Sequence, residues 1–194
     1  MRETLKKVVG PLVGLTEMSW SRIVMNRTTQ EWVGALDTAR MDALEISGEY
    51  WKNRGSFKSY RSVSYPEYDL CGSPLPESFD FILAEQVFEH LLYPHRAAQN
   101  VHRMLRTGGF FLVTTPFLLR IHSFPTDCTR WTPQGLSYFL EEAGFSRDKM
   151  RVQAWGNRQC VRAIFKGART YCSRIHSLAN EPDFPVVVWA LVQK

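Results

Sequence analysis

Apolar and polar residues follow a strand, helix, strand pattern between residues 79 and 116. The runs 79–83 and 110–113 are short and almost wholly apolar, which is typical of strands covered on both faces. Between them, apolar residues recur at helical spacing from Val87 to Leu105, and Gly108 predicts the end of that helix. The pattern indicates half of a doubly wound α/β sheet, in which a ligand lies beyond the carboxyl ends of the strands.

The chain before residue 79 is less regular. Residues 1–40 have the pattern of a helical lead-in that covers one side of the sheet, with Thr28 or Thr29 as a helix cap. The apolar run 43–46 predicts a first strand. Between Glu49 and Asp80, glycine and proline residues leave room for one short helix and two short strands. Two complete strand–helix units need more residues than this, so the sequence predicts a trimmed sheet.

The chain after residue 116 contains clearer signals. Thr132 as a cap and Pro133 at the first helical position predict a helix that ends at Gly144. Apolar residues then alternate or cluster at 149–155 and 186–192, which predicts two further strands. We therefore expect the sheet to be completed by C-terminal strands.

Composition places the chain among globular proteins of one domain. Its 194 residues are 44% hydrophobic, enough for a full core without disulfides. The cysteines form no C-x-x-C pair and have no histidine at zinc-ligand spacing, so the sequence predicts neither a disulfide framework nor a metal site. A reducing cytoplasm is the expected location. The four cysteines are Cys71, Cys128, Cys160 and Cys172.

The N-terminal residues suggest no targeting segment. Lys6 and Lys7 precede an apolar run at 8–15, but glycine and proline interrupt that run and no cleavage site follows it. We predict neither a signal peptide nor a membrane span.

Positive charge is concentrated near the C-terminus. The formal net charge is +5, and residues 146–176 hold eight lysines or arginines and a single acid, Asp148. Arg158, Arg162, Lys166 and Arg169 fall on one face of a predicted helix. A solvated outer face is the favoured interpretation, and an anion or substrate site is the alternative.

Three short motifs occur in order around the central strands. An FD pair opens the strand at Phe79, an EH pair follows at Glu89 and His90, and LRTGG stands at 105–109 before the next strand. This order resembles the fourth and fifth strand units of class I S-adenosylmethionine-dependent methyltransferases of type 11. The resemblance extends upstream through DALEISGE and downstream through HSFPTDCTRWTPQGLSYFLEEAGF to PVVVWALVQK. It implies a Rossmann-like, mostly parallel sheet with an antiparallel last strand, and one domain 1–194 made of the lead-in 1–40 and a core 41–194.

The resemblance also implies where the cofactor, S-adenosylmethionine, would bind. In the family an acidic strand end and a glycine-rich turn hold the methionine part of the cofactor. Here that turn reads E-I-S-G-E, with serine at the first glycine position and no third glycine, so a plain strand-to-loop turn is the alternative. A later acid borders the adenine in the family, although at the matching position here an aspartate that caps a turn is the alternative. The implied cofactor-binding positions are Glu45, Ser47, Gly48, Asp69, Glu85 and Gln86.

Two histidines are the candidates for acid–base chemistry. His90 belongs to the EH pair, and an imidazole near neutral pH can remove a hydroxyl proton, with a histidine that caps or packs locally as the alternative. His122 and Asp127 would form a second base with its orienting carboxylate, in the loop after the fifth strand. Arg130 and Trp131 in the same loop are the predicted acceptor-binding residues, with capping of the next helix as the alternative for Arg130.

The first functional hypothesis is therefore methyl transfer from S-adenosylmethionine to an oxygen of a small molecule or glycan. The second is a non-catalytic binding or scaffold protein of the same fold, whose altered E-I-S-G-E turn has lost the cofactor. The third is an RNA methyltransferase, suggested by the basic character of the chain. It ranks last because no RNA-binding appendage is visible, so nucleic acid is not the expected partner.

Overall fold

The structure is a computed structural model that describes residues 15–122, 124–168 and 170–194, without the side chains of 15–18. The predictions about the N-terminal run 8–15 and about Arg169 lie wholly or largely outside these residues. The strands within these residues are β1 (Leu15–Ser19), β2 (Asp42–Ile46), β3 (Ser59–Val63), β4 (Phe79–Glu85), β5 (Leu105–Pro116), β6 (Met150–Trp155), β7 (Thr170–Cys172) and β8 (Val187–Gln193).

Six of these strands form one sheet in the order β3-β2-β4-β5-β8-β6. Strands β3, β2, β4 and β5 are parallel, and β8 runs antiparallel to both β5 and β6. The predicted doubly wound, mostly parallel sheet with an antiparallel last strand is confirmed. Strands β1 and β7 pair with each other in a separate antiparallel ribbon.

Helices cover both faces of the sheet. They are α1 (Trp20–Gly34), α2 (Pro94–Met104), α3 (Pro133–Glu142) and α4 (Arg158–Phe165). Alternate residues of each strand point to opposite faces, so the sheet divides the core into two layers. One layer packs under α2 and α3 around Ile82 and Phe111, and the other under α1 and α4 around Phe81 and Trp189. The burial of both faces explains the continuous apolar runs of β4 and β5.

The caps predicted for α3 are present. The Thr132 side chain accepts a hydrogen bond from the Gly135 N–H at 3.0 Å, and Gly144 takes a left-handed conformation just after the helix. By contrast, the predicted cap at Thr28 or Thr29 is wrong, because α1 begins at Trp20 and runs through both positions. The Thr29 hydroxyl instead donates to the Asn26 carbonyl within the helix.

Two further expectations about local structure are wrong. The helix before β5 ends at Met104, and the LRTGG segment already belongs to the strand, with Gly108 N–H bonded to the Lys194 carbonyl. Between Glu49 and Asp80 the described chain contains one strand, β3, and no α-helix. The crossover from β2 to β3 is therefore a helix-free loop, which is where the fold is trimmed.

The basic C-terminal segment lies on an outer face. Cys160 and Ile164 bury one side of α4, while Arg158 pairs with Glu181 at 2.6 Å and lies over the Phe184 ring. These contacts fit the solvated-face interpretation. Within the described residues, no helix combines the length and the apolar character needed to cross a bilayer.

Candidate functional site

The carboxyl edge of the sheet carries two unusual turns. Ser47 after β2 and Gln86 after β4 both have positive φ, at 62° and 56°, and Gly48 follows at 141°. Non-glycine residues seldom adopt this conformation, and such residues cluster at ligand sites. The turns lie where the strand order reverses, which is the ligand crevice of a doubly wound sheet.

Glu45 at the end of β2 is buried and holds the following loop. Its carboxylate accepts the backbone N–H groups of Tyr50 and Trp51, each at 2.9 Å, and the Tyr60 hydroxyl at 2.6 Å. These bonds use both carboxylate oxygens inside the protein. The predicted direct cofactor contact by Glu45 is therefore not supported, and its carboxylate instead anchors the loop at Tyr50 and Trp51.

A cavity of about 550 Å³ opens beside this turn, beyond the ends of β2 and β3. That volume is within the range of small-molecule sites. Gly48 contributes backbone to its wall, and the exposed Glu67 carboxylate lies on its rim. The other lining residues are Glu49, Arg61, Ser62, Val63, Ser64, Tyr68 and Leu75.

Asp69 does not line this cavity. Its carboxylate accepts the Cys71 N–H at 2.8 Å, which is the aspartate turn considered as the alternative. Leu70 and Cys71 are buried in the core under α2, so none of the three is placed to border an adenine. Glu67 and Glu49 are the acids that line the cavity, and the sequence signal for Glu67 was only its closeness to the end of β3.

Glu85 at the end of β4 lies in a mixed-charge pocket. One carboxylate oxygen pairs with Arg22 of α1 at 3.0 Å, while Oε2 is buried and has no hydrogen-bond partner among the described residues. Burial raises the pKa of the Glu85 carboxyl, an effect partly offset by Arg22. The fully buried Trp51 indole N–H lies near this carboxylate and acts to lower its pKa, although the contact falls short of hydrogen-bond geometry. A carboxylate, an indole donor and a guanidinium thus meet beside the β2 and β4 turns.

Gln86 faces inward. Its backbone N–H and its side-chain amide both donate to Thr114 Oγ1 at 3.1 Å, and its amide nitrogen lies 4.0 Å from the Met25 sulfur. The predicted cofactor contact by the Gln86 side chain is therefore not supported. Gln86 instead locks the left-handed turn after β4.

Glu89 and His90 lie on a short 3₁₀ turn, Phe88–His90, directly after this turn. The Glu89 side chain is fully buried, and neither of its oxygens has a hydrogen-bond partner among the described residues. Burial raises the pKa of Glu89 to about 7, although His90 and Arg130 act in the opposite direction. His90 Nε2 lies 3.6 Å from Glu89 Oε1, and His90 Nδ1 bonds to the Thr126 carbonyl.

His122 and Asp127 come together as the sequence predicted. Asp127 Oδ2 accepts the His122 backbone N–H at 2.9 Å and lies 3.4 Å from His122 Nδ1. Burial acts to raise the pKa of Asp127, but hydrogen bonds from Arg130 and His122 hold it below its usual range. The His90 and His122 rings meet edge to face with centroids 5.0 Å apart. The two candidate bases therefore share one location, which the sequence did not indicate.

The remaining two predicted residues differ in placement. Arg130 forms a bidentate pair with Asp127 and lines a second cavity, of about 240 Å³, together with the apolar Phe117, Leu119 and Ile121. Trp131 packs on Phe139 with ring centroids 4.9 Å apart and lines neither cavity. The prediction that Trp131 contacts the acceptor is not supported, because its ring belongs to the core.

A comparison with protein families covers β2, β3, β4 and most of β5, and His122, Asp127 and Arg130 lie outside the matched residues. Residues 27–113 match the family model described as Methyltransferase domain. This part of the chain is similar to the methyltransferase domain family. The match confirms the resemblance that the motifs suggested, the enzyme class, and S-adenosylmethionine as the cofactor that goes with it. No curated protein matches the sequence.

Solved structures agree with the methyltransferase fold. An S-adenosylmethionine-dependent methyltransferase from Mesorhizobium loti is 14% identical, with a TM-score of 0.56, and the alignment covers 86% of this chain and 96% of that one. A phosphoethanolamine N-methyltransferase 2 from Haemonchus contortus is 13% identical (TM-score 0.57), with coverage of 89% and 52%. An O-methyltransferase from a Brevibacillus brevis multienzyme is 10% identical (TM-score 0.53), with coverage of 91% and 80%. At these identities the likeness shows the fold, and the fold is shared by nitrogen and oxygen methyltransferases.

The residues at the edge of this methyltransferase domain fit the cofactor. A nucleoside fits the 550 Å³ cavity, whose wall includes the exposed backbone of Gly48. The cationic amino group of the methionine end suits Glu85 Oε2, which lies outside the pair with Arg22, and the methionine carboxylate suits the Arg22 guanidinium. The Glu85 carboxylate and the Arg22 guanidinium thus have charges complementary to those of an amino-acid zwitterion.

Proposed function

We propose that the chain transfers the methyl group of S-adenosylmethionine to a hydroxyl oxygen of a small molecule or glycan. One observation carries the choice of oxygen: His90, His122 and Asp127 converge just beyond β4 and β5. A hydroxyl acceptor must lose its proton during transfer, whereas a neutral amine already presents a lone pair. A site that gathers two imidazoles is suited to the first task.

The cofactor would lie along the edge from β3 to β4. Its adenosine would occupy the cavity beside Gly48 and Glu67, and its methionine end would reach Glu85 and Arg22. When bound, the cofactor supplies a sulfonium methyl group, whose carbon–sulfur bond breaks toward sulfur as the new carbon–oxygen bond forms. Alignment of the reacting atoms carries much of such a displacement, about 7 to 11 kcal/mol in favourable models.

The histidines would manage the proton of the acceptor. His90 Nδ1 donates to the Thr126 carbonyl, which leaves the Nε2 lone pair to accept a proton. Asp127 lies against His122 Nδ1 and stabilises that ring when it is protonated. Proton transfer of this kind contributes about 10² to 10⁴ in rate.

The second cavity suggests the size and character of the acceptor. It is small, about 240 Å³, with apolar walls and the polar groups of Asp127, Thr129 and Arg130 at one side. Because Arg130 is already paired with Asp127, it supports the base more than it attracts an anion. A compact, uncharged hydroxyl compound or a sugar ring fits this lining.

The test is methyl transfer from radiolabelled S-adenosylmethionine to matched hydroxyl and amine acceptors. We expect product with hydroxyl acceptors, and a fall in kcat of about 10² to 10⁴ for His90→Ala or His122→Ala with cofactor affinity preserved. His95→Ala is the matched control, since His95 is half exposed on α2 and pairs with Glu142 away from the edge. Transfer to amines alone, or full turnover in both histidine variants, would overturn the proposal. Absence of cofactor binding would favour the non-catalytic alternative.

A further inference from the structure

The Glu89 carboxylate is an unusual buried group. Its side chain is 1% exposed, and neither oxygen has a hydrogen-bond partner among the described residues. A buried carboxylate without hydrogen bonds costs several kcal/mol unless a proton or a cation compensates it. The side chains around Glu89 indicate that the compensating group is a metal cation.

Two imidazoles converge on this carboxylate. One ring nitrogen from His90, one from His122 and one Glu89 oxygen all lie within 4.8 Å of one another. His90 Nδ1 donates to the Thr126 carbonyl, and His122 Nδ1 lies 3.4 Å from Asp127 Oδ2. Histidines that bind metals commonly have such a carbonyl or carboxylate against the second ring nitrogen, which fixes the tautomer and the ring orientation.

The loop that carries His122 is fastened to the turn that carries Glu89 and His90. The Thr126 hydroxyl donates to the His90 carbonyl at 2.6 Å, and the Cys128 N–H donates to the Glu89 carbonyl at 2.7 Å. These bonds hold residues more than thirty positions apart in one place. The three side chains therefore converge without a conformational change of the backbone.

From this arrangement we propose that Glu89, His90 and His122 bind one divalent first-row transition metal ion of the zinc type. Two imidazoles and one carboxylate match the ligand set of such ions, whereas Mg²⁺ and Ca²⁺ prefer oxygen ligands throughout. Ligands about 2.1 Å from a tetrahedral ion are about 3.4 Å apart, so separations of up to 4.8 Å between the ligand atoms must shorten by up to about 1.4 Å. Rotation of the two rings suffices for that movement, since both histidines are partly exposed.

Three protein ligands leave a coordination position open, as in catalytic zinc sites. The role of the ion in the reaction rests on the proposed function: it would hold the acceptor hydroxyl and lower the pKa of that hydroxyl. With the ion bound, the coordinated histidine nitrogens serve as ligands instead of proton acceptors, and the proton of the hydroxyl would pass to bulk water as the oxygen takes up the methyl group. Binding of the ion does not itself depend on the proposed function.

The experiment measures Zn²⁺ and Co²⁺ binding to the full, untagged chain after treatment with a chelator, without cofactor or acceptor. We expect one ion per chain by elemental analysis, visible absorption from bound Co²⁺, and weaker binding of Mg²⁺. Glu89→Gln and His122→Ala should each lower Zn²⁺ affinity more than about 100-fold, and Asp127→Asn about tenfold or more. His95→Ala, which removes an exposed histidine beside Glu142, should leave the affinity unchanged.

Circular dichroism of each variant separates loss of metal binding from loss of folding. If Glu89→Gln fails to fold, His122→Ala still tests the site, because His122 is partly exposed in a loop. Equal Zn²⁺ affinity in wild type and in both ligand variants would overturn the metal site. Methyl transfer that persists in metal-free protein would refute the catalytic role of the ion and leave the proposed function intact. Stoichiometric metal binding without any methyl transfer would refute the proposed function and support the metal site.

Discussion

Substitution of Glu89 by glutamine tests how the buried carboxyl governs stability. Burial raises its pKa from the ordinary 4.5 to about 7 in the folded chain. Between these values the folded state keeps a proton that the unfolded state has lost, so the free energy of unfolding falls as the pH rises. At about 1.4 kcal/mol per pH unit, this window corresponds to about 3 kcal/mol. Below 4.5 and above 7 the contribution of Glu89 is constant.

Glutamine has nearly the same shape and cannot ionise, so it removes this dependence. We expect wild type to lose about 3 kcal/mol relative to Glu89→Gln between about pH 4.5 and about pH 8. The assay is urea unfolding of both proteins across this range with a chelator present, because a bound cation would stabilise the charged form. Measuring the difference between the two proteins cancels the titration of all distant groups.

The matched control is Glu31→Gln, since Glu31 is an exposed glutamate on α1. The free energy of unfolding of Glu31→Gln should stay within about 0.5 kcal/mol of wild type, as is usual for a surface substitution. A difference between wild type and Glu89→Gln that does not vary with pH would show that Glu89 ionises normally in the folded chain. In that case the argument from its burial and missing hydrogen bonds would be refuted.

Two further predictions concern the scaffold. Gly156→Ala should destabilise the chain by several kcal/mol in thermal unfolding, because its new Cβ would lie 2.0 Å from the Phe184 carbonyl oxygen. The control is Gly34→Ala, whose new Cβ would have no atom within 4 Å, and which should be neutral or slightly stabilising. An unchanged melting temperature for Gly156→Ala would be inconsistent with this packing. Asn157→Ala should lower the free energy of unfolding by about 2 to 4 kcal/mol, because this buried residue caps α4 and also donates two 3.0 Å hydrogen bonds to backbone carbonyls. Thr132→Ala, at the exposed cap of α3, should lower it by about 1 kcal/mol. Equal costs for the two caps in chemical denaturation would contradict the importance of the two extra bonds.

Much of the sheet could be predicted from sequence because its signals are local. The apolar runs of β4 and β5 reflect burial on both faces, and Thr132, Pro133 and Gly144 mark the ends of α3 with side-chain and backbone chemistry that acts within a few residues. Expectations were wrong where distant contacts decided the outcome. The LRTGG segment joins β5 because it pairs with the C-terminal residues of the chain.

The loop after β2 shows the same limit. The backbone N–H groups of Tyr50 and Trp51 donate to the Glu45 carboxylate, so the loop does not need helical hydrogen bonds to satisfy them. The Trp51 side chain fills the core beneath this loop. The local sequence pattern cannot show that one carboxylate will accept the hydrogen bonds of the loop backbone. For the same reason, Glu45 resembled a cofactor ligand in the sequence and is a loop anchor in the structure.

The sequence indicated individual residues of the candidate site but not which of them would lie together. Glu85, His90, His122 and Asp127 all lie at the carboxyl edge, where the strand pattern placed them. Their partners were not predictable, because Arg22 comes from α1 and the metal-ligand set joins residues from two loops. Sequence spacing carries no signal for such convergence, since folding alone brings the segments together.

The most direct test of the central claim is calorimetric titration of the purified chain with S-adenosylhomocysteine. The account predicts saturable binding of one molecule per chain with micromolar affinity. Glu85→Gln should weaken binding by about tenfold to a hundredfold, because its charged oxygen would no longer face the amino group of the ligand, while Glu31→Gln should bind as wild type. No detectable binding to folded protein, or equal affinity in Glu85→Gln, would contradict the assignment of this edge as the cofactor site.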